Sequence, residues 1–202
     1  MPTLTRPIAP RFASWPLMPT GILDVGQSGR GVVRALANAG RVWTEEYSPD
    51  ATTSLTFRGF LALAMQYYSQ RTIVDVTHPD METLLGAGGG TPLVQGAQTG
   101  PSIITDGWPN STTVLRGGDV VKFSGINLVF DVVGDVTSNG SGVATVLINP
   151  PSAATIADNA PLAVNSTPGT VKFRAVIEAL SVPGSGPNRK LQGFALTFRE
   201  LG

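Results

Sequence analysis

Residues 115–153 read LRGGDVVKFSGINLVFDVVGDVTSNGSGVATVLINPPSA, and this stretch decides the fold. Apolar and polar residues alternate, so Val121 and Phe123 share one face of a strand. Gly125-Ile126-Asn127 turns the chain, and Leu128, Phe130 and Val132 share a face of the next strand. Ser138-Asn139-Gly140-Ser141-Gly142 is a hairpin turn, because Asn and Gly tolerate positive φ. Ala144, Val146 and Ile148 line a third strand, which is expected to end at Pro150-Pro151. The result is a three-stranded meander of the kind found in small barrels and sandwiches. RGGD at 116–119 reads as a turn before the first strand.

The same character runs outward through all 202 residues. There are 24 glycines and 16 prolines, which favours many turns and short strands over long helices. No cysteine is present, which excludes a disulfide framework, a thiolate zinc site and a cysteine nucleophile. Lys+Arg and Asp+Glu number 14 each, so no basic footprint for DNA or anionic lipid exists. Charged residues make up 14% of the chain, against roughly 25% in an ordinary soluble domain. Such a chain either exposes little surface to solvent or buries much of it against partners. No segment approaches the ~18 consecutive apolar residues of a membrane span, and the first 21 residues lack the apolar stretch of a signal peptide.

Residues 1–19 read as an extended arm, since Pro2, Pro7, Pro10, Pro16 and Pro19 oppose helix and central strand. Trp15 and Leu17 are its candidate anchors. RGVVRALANAGRVWTEEY, from 30 to 47, is expected to be a hairpin turning at Asn38-Ala39-Gly40. One helix follows in SLTFRGFLALAMQYYSQ, where Phe57, Phe60, Leu61, Ala64, Met65 and Tyr68 form one stripe, with Ser54 as its N-cap. Its second face, with Ala62, Leu63 and Tyr67, is too apolar for open water. Either the helix packs on both sides within the chain, or a neighbouring subunit covers it. RTIVDVTHPD reads as a strand running into Pro79. Near the C-terminus, TVKFRAVIEALSV and RKLQGFALTFRE read as two antiparallel strands joined by PGSGPN.

Chemistry-bearing patterns are sparse. His78 is the only histidine, and no Gly-x-Ser-x-Gly elbow accompanies it. His78, Asp80 and Glu82 offer three metal-capable side chains, but Pro79 spoils the regular strand that would align them. GAGGGT at 86–91 lacks the Gly-Lys-Ser/Thr of a phosphate loop and reads as a flexible connector or inter-domain joint. Trp15 and Trp108, each beside a proline, are either stacking platforms or loop anchors. Asn110, Asn139 and Asn165 head Asn-x-Ser/Thr triplets and read as ordinary loop residues. No catalytic residue, cofactor site or metal site is expected, and the chain is not read as an enzyme.

The order of features resembles a known family. A Trp-bearing segment (GRVWTEEYSPD), an amphipathic helix (FRGFLALAMQYY) and DVTHPD come first. GTPLVQGAQTGPSIITDGWPN, LRGGDVVKFSG…VFDVVGDVTSNGSGVATVLINPP and a final FALTFREL follow. Over roughly residues 15–202 this resembles the distal tail proteins of long-tailed, siphovirus-type bacteriophages. The resemblance implies a mainly β fold: a tail-tube-like β-sandwich or split barrel flanked by a helix, with an inserted small β-barrel of oligonucleotide/oligosaccharide-binding type. It implies a ring-forming core over 20–94 and 166–202, interrupted by the barrel at 95–165. It implies a homohexameric ring at the virion tail tip, assembled in the host bacterial cytoplasm. Its partners would be the tail tube, a hub or baseplate protein, and further the tape measure protein and tail fibres. DNA would pass through the channel without sequence-specific contact. Leu63, Tyr67, Trp15 and Leu17 are then candidate subunit-interface residues. The alternatives are another tail ring subunit, either the tube or a minor tail protein, and, from a different class, a carbohydrate-binding β-sandwich.

Overall fold

The computed structural model describes residues 1–4, 12–13, 22–25, 31–34, 40–48, 54–182 and 193–202, with backbone alone at 12–13, 22–25, 31–34 and Ser54. Strands make up 44% of the chain against a single α-helix among the described residues, so the fold is mainly β. In chain order the elements begin with β1 (Phe12–Ala13), β2 (Ile22–Val25), β3 (Gly31–Arg34), β4 (Val42–Tyr47), α1 (Ser54–Ser69) and β5 (Val74–Val76). Then come β6 (Leu93–Val94), β7 (Gln98–Asp106), β8 (Thr113–Leu115), β9 (Val120–Phe123) and β10 (Phe130–Val132). The last are β11 (Val136–Thr137), β12 (Ala144–Ile156), β13 (Leu162–Val164), β14 (Phe173–Ser181) and β15 (Phe194–Glu200).

The chain divides into two compact units, Met1–Pro79 with Arg174–Leu201, and Asp80–Phe173 with Gly202. The second is therefore inserted in the first, and it is wider than the 95–165 drawn from the sequence. The flanks belong to it for specific reasons. Asp119, buried, accepts hydrogen bonds from the amides of Leu85 (2.6 Å), Gly86 (3.1 Å) and Arg116 (2.7 Å). Asn165, also buried, donates to the Met81 carbonyl and accepts from the Val171 amide at 2.7 Å. A buried polar side chain is stable only when so partnered, and all of these partners except Arg116 lie outside 95–165.

In the first unit a half-barrel sheet has the order β1-β4-β15-β14-β5. Period-two alternation gives it a buried face: Trp43 and Tyr47 from β4, Phe194, Leu196 and Phe198 from β15, Ala175 and Ile177 from β14. Phe57 and Phe60 of α1 close on that face. Phe57 meets Phe194 at 5.1 Å between ring centroids, and Phe60 meets Tyr47 edge-on at 5.0 Å. The helix ends without glycine. Arg71 takes the left-handed turn (φ 50°), and Thr72 N bonds back to Tyr67 O at 2.9 Å. Among the described residues the two strands expected to form the 30–47 hairpin do not pair with each other, and Asn38-Ala39 of its turn lies outside those residues. Both halves are strands, but β3 pairs with β2, while β4 pairs with β15 and β1. Alternation identifies a strand and leaves its partner open. Leu4 N bonds to Asp75 O and Asp75 N to Pro2 O, both at 3.0 Å, so residues 2–4 lie along β5, at a sheet edge that tolerates proline.

In the second unit six strands run in the order β13-β9-β10-β12-β7-β6, and a bridge from Leu93 to Pro161 brings the ends together as a nearly closed barrel. The expected meander is its centre: β9 pairs β10 and β10 pairs β12. The residues assigned to its inner face, Val121, Phe123, Leu128, Phe130, Val132, Ala144, Val146 and Ile148, all belong to one buried cluster. The turn at 138–142 is tied by Asn139, whose Oδ1 accepts from the amides of Ser141 (2.8 Å) and Val143 (3.0 Å). β12 does not stop at Pro150-Pro151 but continues to Ile156, with a cis Asn149–Pro150 bond. The prolines sit where the ladder slips: Leu147 pairs with Ser102, and the next partner pair is Ser152 and Gly100. A bulge asks for no amide hydrogen, so proline fits there.

Candidate functional site

Two of the side chains that the sequence marked for chemistry, His78 and Trp108, are buried. His78 follows β5 and is buried, with its ring edge-on to Trp43 at 5.9 Å. Among the described residues no three His, Asp or Glu side chains gather as a metal site, so His78, Asp80 and Glu82 are not brought together as one. Trp108 is buried; its Nε1 donates to Thr105 Oγ1 at 2.8 Å, and that hydroxyl donates to the Ala144 carbonyl at 3.1 Å. It anchors a loop and offers no face for stacking a sugar.

GAGGGT is not a connector. A Cβ on Gly86 would overlap the Val114 carbonyl oxygen, and one on Gly90 the Gly107 carbonyl oxygen. Ala87 N and Gly88 N bond to Thr113 O and Val114 O at 3.1 and 2.9 Å. The glycines are present because backbone runs against backbone there. Of the three sequon asparagines, Asn165 is buried and hydrogen-bonded through both Nδ2 and Oδ1, while Asn110 and Asn139 are exposed.

What remains is surface. Of the sixteen residues of α1, only Arg58 carries a charge. Leu63 and Tyr67 are half-buried and flank the Phe57–Phe60–Ala64 stripe. Met65, expected inside, is 51% exposed, and Leu55 is 83% exposed. At roughly 100° per residue, Leu55 falls on the far side of the wheel from Phe57; the wheel alone would have found it, had the stripe not been started at Phe57. The outward apolar residues of the helix are thus Leu55 and Met65 rather than Leu63 and Tyr67. Trp15 and Leu17 lie outside the described residues.

The inserted barrel carries exposed apolar residues of its own. Ile104 and Leu147 point outward from β7 and β12, with Val133 beside Leu147, whose carbonyl accepts from the Val133 amide at 2.9 Å. Two open grooves of about 450 and 400 Å³ flank β13. No helix among the described residues is long and apolar enough to cross a membrane. No protein-family model matches the chain, and no curated protein matches it.

Proposed function

We propose that this chain is a structural virion protein of the distal tail kind, forming a six-membered ring that joins a bacteriophage tail tube to its baseplate or hub. The observation that carries the reading is the interrupted architecture. A half-barrel flanked by one helix is broken between β5 and β14 by a separate small barrel, the arrangement that the resemblance to distal tail proteins implies. The helix, with Arg58 its single charge and Leu55 and Met65 outward, supports a chain that meets further copies of itself. In this reading the half-barrel unit builds the ring. The tape measure protein and tail fibres are further neighbours, DNA passes through the channel, and assembly takes place in the host cytoplasm. The test is electron microscopy of intact tails. Six copies of this chain in one ring at the tail tip are expected. A single copy, or copies stacked along the whole tube, would overturn the proposal.

A further inference from the structure

The barrel of the inserted unit is joined along only part of its seam. Val94 N bonds to Ala160 O and Leu162 N to Pro92 O, both at 3.0 Å, around the Leu93–Pro161 bridge. One step further, the same ladder would need an amide hydrogen at residue 92 for the Leu162 carbonyl and a carbonyl at residue 90 for the Val164 amide. Among the hydrogen bonds of the described residues neither forms. Pro92 has no amide hydrogen to give. Gly88, Gly89 and Gly90 hold φ values of 60°, 90° and 70°, which turn the chain aside, and Thr91 N bonds instead to Gly107 O at 3.0 Å.

The phase of β13 fixes what the gap presents. Its pairing with β9 sets Leu162 opposite Phe123 and Val164 opposite Val121, and Ser124 N bonds to Pro161 O at 2.9 Å. Residues 161 and 163 therefore turn their backbone groups toward β9, and 162 and 164 turn theirs away. The Leu162 carbonyl, the Val164 amide and the Val164 carbonyl point in sequence into the open part of the seam. The 400 Å³ groove lies there, bordered by Gly89, Gly90, Thr91, Val164, Ser166 and Thr170, and none of its lining residues is charged.

We propose that this seam receives one short extended peptide segment, uncharged and with small side chains, which pairs with Leu162 and Val164 as an added strand. An acceptor, a donor and an acceptor spaced along a strand match the backbone of another strand. An uncharged lining offers no partner for a charged side chain, whose desolvation would go uncompensated. The proposal concerns the inserted barrel alone and stands independently of ring assembly.

The test is amide NMR on the full chain, with acetyl-Thr-Val-Thr-Val-Thr-amide as the probe. The Val164 resonance is expected to shift saturably, and its hydrogen exchange to slow by about tenfold as its amide gains a partner. The same peptide with alternate amides N-methylated lacks the hydrogen-bonding edge and is expected to leave Val164 unmoved. A Val164 amide already protected in the free chain would overturn the proposal. So would equal shifts from both peptides, or no shift at millimolar peptide. Shifts of these resonances by maltotriose but not by the peptide would assign the groove to a glycan and overturn it as well.

Discussion

The indole nitrogen of Trp43 donates to Glu45 Oε1 across 2.9 Å, two residues along one strand and on the same buried face. Tyr47, the next residue on that face, donates its hydroxyl to the other carboxylate oxygen. One acidic side chain thus satisfies two aromatic polar tips that would otherwise be buried without acceptors. Leaving a buried donor unsatisfied costs about 1–3 kcal/mol. Glu45→Ala is therefore expected to destabilise the half-barrel unit by roughly 2–4 kcal/mol, and Glu45→Gln, which keeps one acceptor, by about half of that. Urea denaturation followed by tryptophan fluorescence measures both, and equal losses in the two variants would contradict the assignment.

A second prediction separates close packing from flexibility in the glycine run. Gly86 has no room for a Cβ, which would meet the Val114 carbonyl, whereas Gly140 has nothing within 4 Å. Neither needs a left-handed backbone. Gly86→Ala is expected to destabilise the inserted barrel by about 1–3 kcal/mol, the cost of overpacking. Gly140→Ala is expected to fall within about 0.5 kcal/mol of the parent, as surface changes usually do. Thermal unfolding of the two variants checks this; a neutral Gly86→Ala would return the run to the status of a connector.

These glycines also mark where the sequence stopped being legible. Alternation found the barrel's central strands and their inward residues, because one buried face imposes period two on β9, β10 and β12. It missed that β12 continues through Pro150-Pro151, since the bulge that admits proline is a property of the partner register. It also missed β4's true neighbour, β15, which arrives from a distant part of the chain. A glycine run looks the same in sequence whether it is loose or pressed against another backbone. For the site, the wheel of α1 showed that an apolar outer face exists. It did not show that Leu63 and Tyr67 are half-covered within the chain while Leu55 and Met65 are open.

The borders of the inserted unit give a third prediction. A fragment over 80–173 keeps β6, the 85–86 amides bound to Asp119, and the Met81 and Val171 backbone groups bound to Asn165. A fragment over 95–165 loses all of these and leaves two buried polar side chains short of partners. The longer piece is expected to fold alone and give dispersed amide NMR signals. The shorter piece is expected to give a collapsed spectrum. Equal dispersion from the two would move the border inward to the shorter limits.

The last prediction concerns the outward side of α1. Burying a large apolar side chain is worth roughly 1.5–3 kcal/mol, so in the proposed ring Leu55 and Met65, repeated at each junction, would contribute appreciably to association once ordering costs are met. Both are open to solvent in the single chain, so an aspartate at either position buries no charge until a neighbour arrives. Leu55→Asp and Met65→Asp are expected to keep the parent's unfolding midpoint while abolishing incorporation into tails. Leu63→Asp differs, because Leu63 is half-buried; it is expected to lower stability as well as assembly. Incorporation is read by immunoblotting purified particles, and stability by thermal unfolding of the free chain. Tails that accept Leu55→Asp and Met65→Asp at parental levels would remove this face of the helix from the interface.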